Sequence, residues 1–302
     1  MIMKQLFTTF FVAVLASLSA CSQSVIVENK RTLVDSCGFF PQLSADGNHL
    51  LFAPTDASSL FLKDLRTGRV ATIAESGLPG FDARFDADGQ IYYVTQELRP
   101  GNLVYRTAHR YDPATGKSTV VTPAQHGAVY LVPTRFGFTV VGEHRSWKST
   151  EKLGRWVYTR GSTLYIVDND KATPLQPAGE CAGYLWASLS PDGLKVMFEA
   201  VGKGLYICDL TGKVIHQLPA ASMPTWFDNN HFVAMTNTNF GAQRINGTYI
   251  YISNLDGTHV EPITEPGEHG EQAVMPCVVG NNVVYSCAAT HGEVKMITVK
   301  IK

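Results

Sequence analysis

Four sets of side chains have the types and spacing that chemistry uses. Ser190 and Asp192, in LSPDGLKVMF (Leu189 to Phe198), put a hydroxyl two residues from a carboxylate. Thr115-Gly116-Lys117-Ser118-Thr119 matches the tail of a phosphate-binding loop, and Asp168-Asn169-Asp170 gathers the oxygens a hard cation prefers. His126, His269, Glu180 and Glu271 are residue types that bind metals or move protons. Three of the four dissolve on inspection. The phosphate loop needs a glycine five residues before Gly116, where Tyr111 stands. The acidic triplet lacks the glycine and the distal glutamate of a calcium loop. The Ser-Asp pair recurs in LSADGNHLLF (Leu43 to Phe52), and a turn repeats along a chain where a catalytic pair does not.

That recurrence leads to the elements that carry these residues. Ser190-Pro191-Asp192-Gly193, Ser44-Ala45-Asp46-Gly47 and Asp86-Ala87-Asp88-Gly89 have hairpin-turn chemistry, with an aspartate to bond backbone amides and a glycine free to take positive φ. Asp228-Asn229-Asn230 and Gly280-Asn281-Asn282 are degenerate copies. A second marker is an apolar strand ending in Asp or Asn, at Asp64, Asp112, Asp168, Asp209 and Asn254. Leu33, Ile73, Val121, Leu175, Leu218 and Ile263 fall into register at gaps of 40, 48, 54, 43 and 45 residues. A period in that range predicts the four-stranded blades of a propeller. The sixth unit stops at Lys302 one strand short, and Glu28 to Ser36 has the fourth-strand pattern with no three strands before it. The expected fold is therefore all-β: a single six-bladed β-propeller over residues 28–302, with antiparallel four-stranded blades and the last blade closed by the N-terminal strand.

Residues 1–20 carry Lys4, a short apolar run and a small-residue site ending Leu18-Ser19-Ala20-Cys21, the pattern of a cleaved signal peptide whose apolar core is too short for a membrane span. Leu-Ser-Ala-Cys resembles the lipobox of bacterial lipoproteins. The resemblance implies acylation of Cys21, a tether over 21–27 and attachment in the cell envelope. Ser22, in place of an aspartate, points to the outer membrane. Without the leader the chain has 24 basic and 26 acidic side chains, which gives no reason to expect a nucleic-acid partner. The five remaining cysteines fit neither a zinc nor a CxxC spacing; their odd number leaves at least one thiol free, most read as buried small hydrophobes, and no obligatory disulfide is expected.

The stretches LSPDG, LSADG, LYICDLTGK and LYIVD resemble the TolB-type, WD-like repeats of bacterial β-propellers, from Glu28 onward. Such propellers serve as binding platforms and as enzyme scaffolds, so function has to be sought in the loops. Loops after the second and fourth strands of a blade open on one face, and the long ones all fall there: Gln96 to Asn102, Glu143 to Trp156 and Asn237 to Gly247. They bring Arg99, Arg145, Trp147, Arg155, Trp156 and Arg244, with Asp82, His126, Glu180, His269 and Glu271 nearer the axis. The expected function is noncatalytic recognition of a protein, peptide or glycan, with Trp147 as anchor and no cofactor or metal. The alternative is an enzyme of polysaccharide lyase or hydrolase type at the channel mouth, using His126, His269 and Glu180 or Glu271.

Overall fold

The computed structural model describes residues 24–134, 137–142, 146–147, 154–168, 171–239, 245–267 and 269–302. Strands follow one another through short turns, with a single 3-10 turn at Ala288–Thr290 and no α-helix among the described residues. Strand β1 (Val25–Val34) comes first. The first blade is β2 (Phe39–Leu43), β3 (His49–Ala53), β4 (Leu60–Asp64) and β5 (Val70–Ala74). The second is β6 (Arg84–Phe85), β7 (Ile91–Arg99), β8 (Leu103–Asp112) and β9 (Lys117–Val120), and β10 (Gln125–His126) pairs with the far half of β8. Strands β11 (Val129–Thr134), β12 (Gly137–Gly142) and β13 (Ser146–Trp147) form one sheet, and β14 (Trp156–Arg160), β15 (Thr163–Asp168) and β16 (Lys171–Leu175) another. Two four-stranded blades follow: β17 (Tyr184–Leu189) to β18 (Lys195–Ala200), β19 (Gly204–Asp209) and β20 (Val214–Leu218), then β21 (Ser222–Trp226) to β22 (His231–Asn239), β23 (Ile245–Asn254) and β24 (Val260–Pro262). The last has β25 (Ala273–Val279), β26 (Asn282–Cys287) and β27 (Glu293–Ile301), with β1 on its outside.

The chain is a β-propeller closed by its N-terminal strand, as the missing fourth strand required. Pairing runs from Val25↔Ile301 to Val34↔Val294 and starts three residues before the expected boundary at Glu28, because Val25-Ile26-Val27 continues the β-branched pattern along β27. Lys300 adds an ion pair to Glu28 across the same two strands.

Second strands are buried on both faces, so consecutive residues serve different neighbours. Leu50 packs toward the last blade and Leu51 toward the second; Val196 and Met197 divide in the same way, as do Val283 and Val284. Continuous apolar runs in the sequence are the signature of this two-sided burial.

The six repeat units are present, and the third, 128–175, is doubled. It makes two three-stranded sheets that pack on each other through Val132, Val141, Trp156 and Val167. The ring of face-to-face contacts thus passes through seven sheets. Residues 143–156, expected to be one long loop, instead contribute β13 and the start of β14. WVYTR alternates well enough to pair with TLYIVD, from Trp156↔Val167 to Arg160↔Thr163, and a paired strand satisfies backbone groups that a loop would leave to water.

Candidate functional site

First strands run from the elaborated face to the face of minimal turns. In the fourth unit Tyr184 N bonds to Gly161 O at the start of β17, and the SPDG turn lies beyond its end. The opening motif is scaffolding: Ser190 Oγ donates to Asp192 Oδ1 at 2.5 Å and accepts from Lys195 N at 2.9 Å, and Ser44 and Asp46 repeat the first bond at 2.5 Å. The Asp46 carboxyl is held down at about 2 by the Ser44 hydroxyl and by the Asn48 amides.

Two of the expected loops are partly strand among the described residues. Gln96 to Asn102 is mostly the tip of the long β7–β8 hairpin, paired out to Arg99↔Leu103, and β22–β23 is extended in the same way. At the first tip Arg99 bonds Glu97 at 3.1 Å and lies over the Tyr105 ring, 4.1 Å from its centroid. The His126 ring sits 5.8 Å from the same tyrosine. Arg99 and His126 therefore come together around Tyr105, a residue the sequence offered no reason to select. Burial lowers the basicity of His109 deeper in this blade, where Thr95 Oγ1 lies 2.8 Å from its Nε2 and Tyr93 stacks on its ring.

Other expected site residues part company. Trp156 is 8% exposed in the core between the two sheets of the third unit, against Tyr158. It cannot serve as a surface anchor, because the alternation that sends Val157 to one neighbouring sheet sends Trp156 to the other. Its neighbour Arg155 bonds Asp168 at 2.7 Å and the Gly193 carbonyl at 3.1 Å, which puts it on the minimal-turn face, opposite to expectation. The strand β14 runs from that face back up, and so cannot be part of an upper loop. Trp147 lies on β13 opposite Val140, while Arg145, Arg244 and Cys21 fall outside the described residues. Glu180 and His269 are exposed on the elaborated face.

Glu271 is committed to structure. Its side chain is 9% exposed and accepts from Lys30 Nζ at 2.6 Å, Lys295 Nζ at 3.0 Å and the Tyr285 hydroxyl at 2.9 Å. Burial alone would raise this carboxyl, but the hydrogen bonds from Lys30, Lys295 and Tyr285 outweigh it and hold it below the usual range. Because Lys30 is on β1, the cluster fastens the closing strand. Among the described residues no three of His, Cys, Asp and Glu come together as a metal site would need. The five described cysteines are free, and burial pushes the Cys208 and Cys287 thiols up to about 12 and about 11.

The inner strands enclose a cavity of about 420 Å³ on the propeller axis. Gln42, Tyr130, Tyr158, Trp186, Ser188 and Thr225 line it, and its charged pair, Asp82 and Arg84, is joined at 3.0 Å. Of these only Asp82 stood out in the sequence, since which residues of an inner strand face the axis depends on where its pairing slips.

No protein-family model matches the sequence, and no curated protein matches it. Solved structures do match. Oligogalacturonate lyase from Vibrio parahaemolyticus is 15% identical with a TM-score of 0.57, over 91% of this chain and 98% of that one. The calcium-binding protein regucalcin from Agrobacterium tumefaciens is 15% identical with a TM-score of 0.54, over 91% and 95%. What they share with this chain is the fold. TolB from Acinetobacter baumannii also matches, at 17% identity and a TM-score of 0.49 over 80% of this chain and 56% of that one, too distant to add to the argument. Propellers this far apart include enzymes, so the fold alone does not choose a function.

Proposed function

We propose that this chain is a noncatalytic binding module, anchored in the bacterial cell envelope through an acylated Cys21, that recognises a protein, peptide or glycan on its elaborated face. One observation carries the reading. Away from the outer strands, the exposed large apolar side chains among the described residues gather on that face: Leu78, Phe81, Leu98, Leu103, Trp186 and Val201, with Leu185 beside Trp186. Phe81 is 72% exposed and Leu98 68%, while the minimal face offers Leu194 alone. Exposed apolar clusters cost solubility and mark surfaces that are covered in use. The enzyme reading loses Glu271, one of its two carboxylate candidates, to the lysine cluster.

The test is capture from solubilised envelope fractions by the immobilised protein. Phe81→Ser combined with Leu98→Ser should abolish retention of the captured component, and Leu194→Ser should leave it intact. Equal retention by both variants refutes the face assignment. Incorporation of labelled palmitate, lost in Cys21→Ser, tests the anchor.

A further inference from the structure

Four inner strands repeat one irregularity. Pairing between the first and second strands slips between Phe39 and Gln42, Leu185 and Ser188, Ser222 and Thr225, and Val274 and Cys277. At the same place in each slip a non-glycine residue takes left-handed backbone: Phe40 at φ 54°, Trp186 at 53°, Met223 at 52° and Met275 at 58°. Glycine would adopt this conformation without the Cβ penalty, yet each position holds a large apolar side chain. A bulge re-aims the side chains that follow it. Two residues on, Gln42, Ser188, Thr225 and Cys277 all face the axial cavity. In sequence the device reads FPQ, WAS, MPT and MPC, a large apolar residue, then Pro or Ala, then a polar or thiol side chain.

The cavity therefore has a repeated design. Trp186 and Met223 line its apolar part, and Phe40 packs beside Phe81, with ring centroids 5.8 Å apart, and bonds Met275 Sδ through its amide at 3.3 Å. Next to that collar lie an amide and two hydroxyls, of which Ser188 Oγ is buried without a hydrogen-bond partner in the protein. Tyr130 adds an aromatic ring, Tyr158 lines the wall with its own ring stacked on Tyr165, and Asp82 neutralises Arg84. The volume lies in the ~300–1,000 Å³ range of small-ligand sites.

We infer that this cavity binds the end of a neutral glycan. A pyranose ring presents C–H faces to aromatic side chains and hydroxyls to amide and hydroxyl partners around its edge, and it carries no charge for the paired Asp82–Arg84 to answer. An acidic sugar would need an unpaired cation. The inference rests on the binding-module reading and names the ligand class of that face.

The test titrates the Cys21→Ser chain calorimetrically with cellotriose, maltotriose and tri-N-acetylchitotriose, against trigalacturonate and trialanine as acidic and peptide controls. At least one neutral trisaccharide should bind, and Trp186→Gly and Ser188→Ala should each weaken it roughly tenfold, the loss of one stacking face or one buried hydrogen bond. Trp186→Gly should do so with a melting temperature within about 2 °C of the parent, because glycine relieves the left-handed backbone. Failure of every neutral probe, binding of either control as tight as the best neutral sugar, or unchanged affinity in Trp186→Gly overturns the assignment. If envelope capture survives Trp186→Gly while no sugar binds, the glycan site alone falls and the binding face stands.

Discussion

Glu271→Ala should loosen the closure of the ring, and the size of the effect can be worked from the contacts. The substitution leaves the hydroxyl of Tyr285, a fully buried side chain, without its acceptor, at about 1–3 kcal/mol for an unmet buried donor. Lys295, 17% exposed, keeps a bond to Glu293 at 3.3 Å, so its loss adds about 1 kcal/mol. Lys30 is 46% exposed, and solvent screening holds its share below about 1 kcal/mol. The sum is about 3 kcal/mol. With an unfolding entropy of ~2.1 cal/mol/K per residue over a domain of this length, that corresponds to a melting temperature lower by about 5 °C at pH 7. Differential scanning calorimetry reads the shift, and pH supplies the control. The folded Glu271 carboxyl titrates below its ordinary value near 4.5, so its contribution is complete above that value and is lost as pH falls through the folded pKa. Wild type and Glu271→Ala should therefore differ at pH 7 and converge in acid. A melting temperature unchanged at pH 7, or a difference of the same size at both ends of the titration, would refute the claim that this carboxylate fastens β1.

Deleting residues up to Val34 should destabilise the whole domain rather than one edge, since it removes Leu33 and Val34 from the core shared with the first blade and Lys30 from Glu271; a truncated chain that melts with the full-length one contradicts this. Trp156→Ala should cost about 3–5 kcal/mol in chemical denaturation, the penalty of a large buried side chain, where a surface anchor would cost almost nothing. Asp192→Ala should cost about 1 kcal/mol through the turn bonds to Ser190 and Leu194 and leave envelope capture unchanged. His109 is less basic when folded, so it favours the native state fully above the unfolded value near 6.5 and less as pH falls from there toward the folded pKa. His109→Phe should flatten the stability profile in that window, and an identical profile would show that burial does not govern this histidine.

How much of this was legible in the sequence follows from what is local. A hairpin turn is specified within four residues, so SADG, DADG and SPDG announced their places, and their spacing gave the blades. The closing strand was also legible, because a repeat that ends one strand short leaves one unmatched segment, and β sheets do not leave long edges unpaired. The third unit was not. WVYTR has the composition of either a loop insertion or a strand, and only the presence of TLYIVD to pair with and of Val132 and Val141 to cover Trp156 decided for the strand. That one pairing carried Arg155 to the opposite face and Trp156 into the core. Glu271 shows the same limit. By type it was a candidate acid or metal ligand, and it became a structural anchor because Lys30, 241 positions earlier, folds back beside it. The channel residues depended on tertiary structure most of all, since a single bulge changes which side chain of an inner strand meets the axis. Local turn chemistry fixed the number of repeats; long-range pairing decided the strands of the third unit, and the contacts that close the ring decided which side chains are free to meet a ligand, because burial and partnership are properties of residues far apart in the chain.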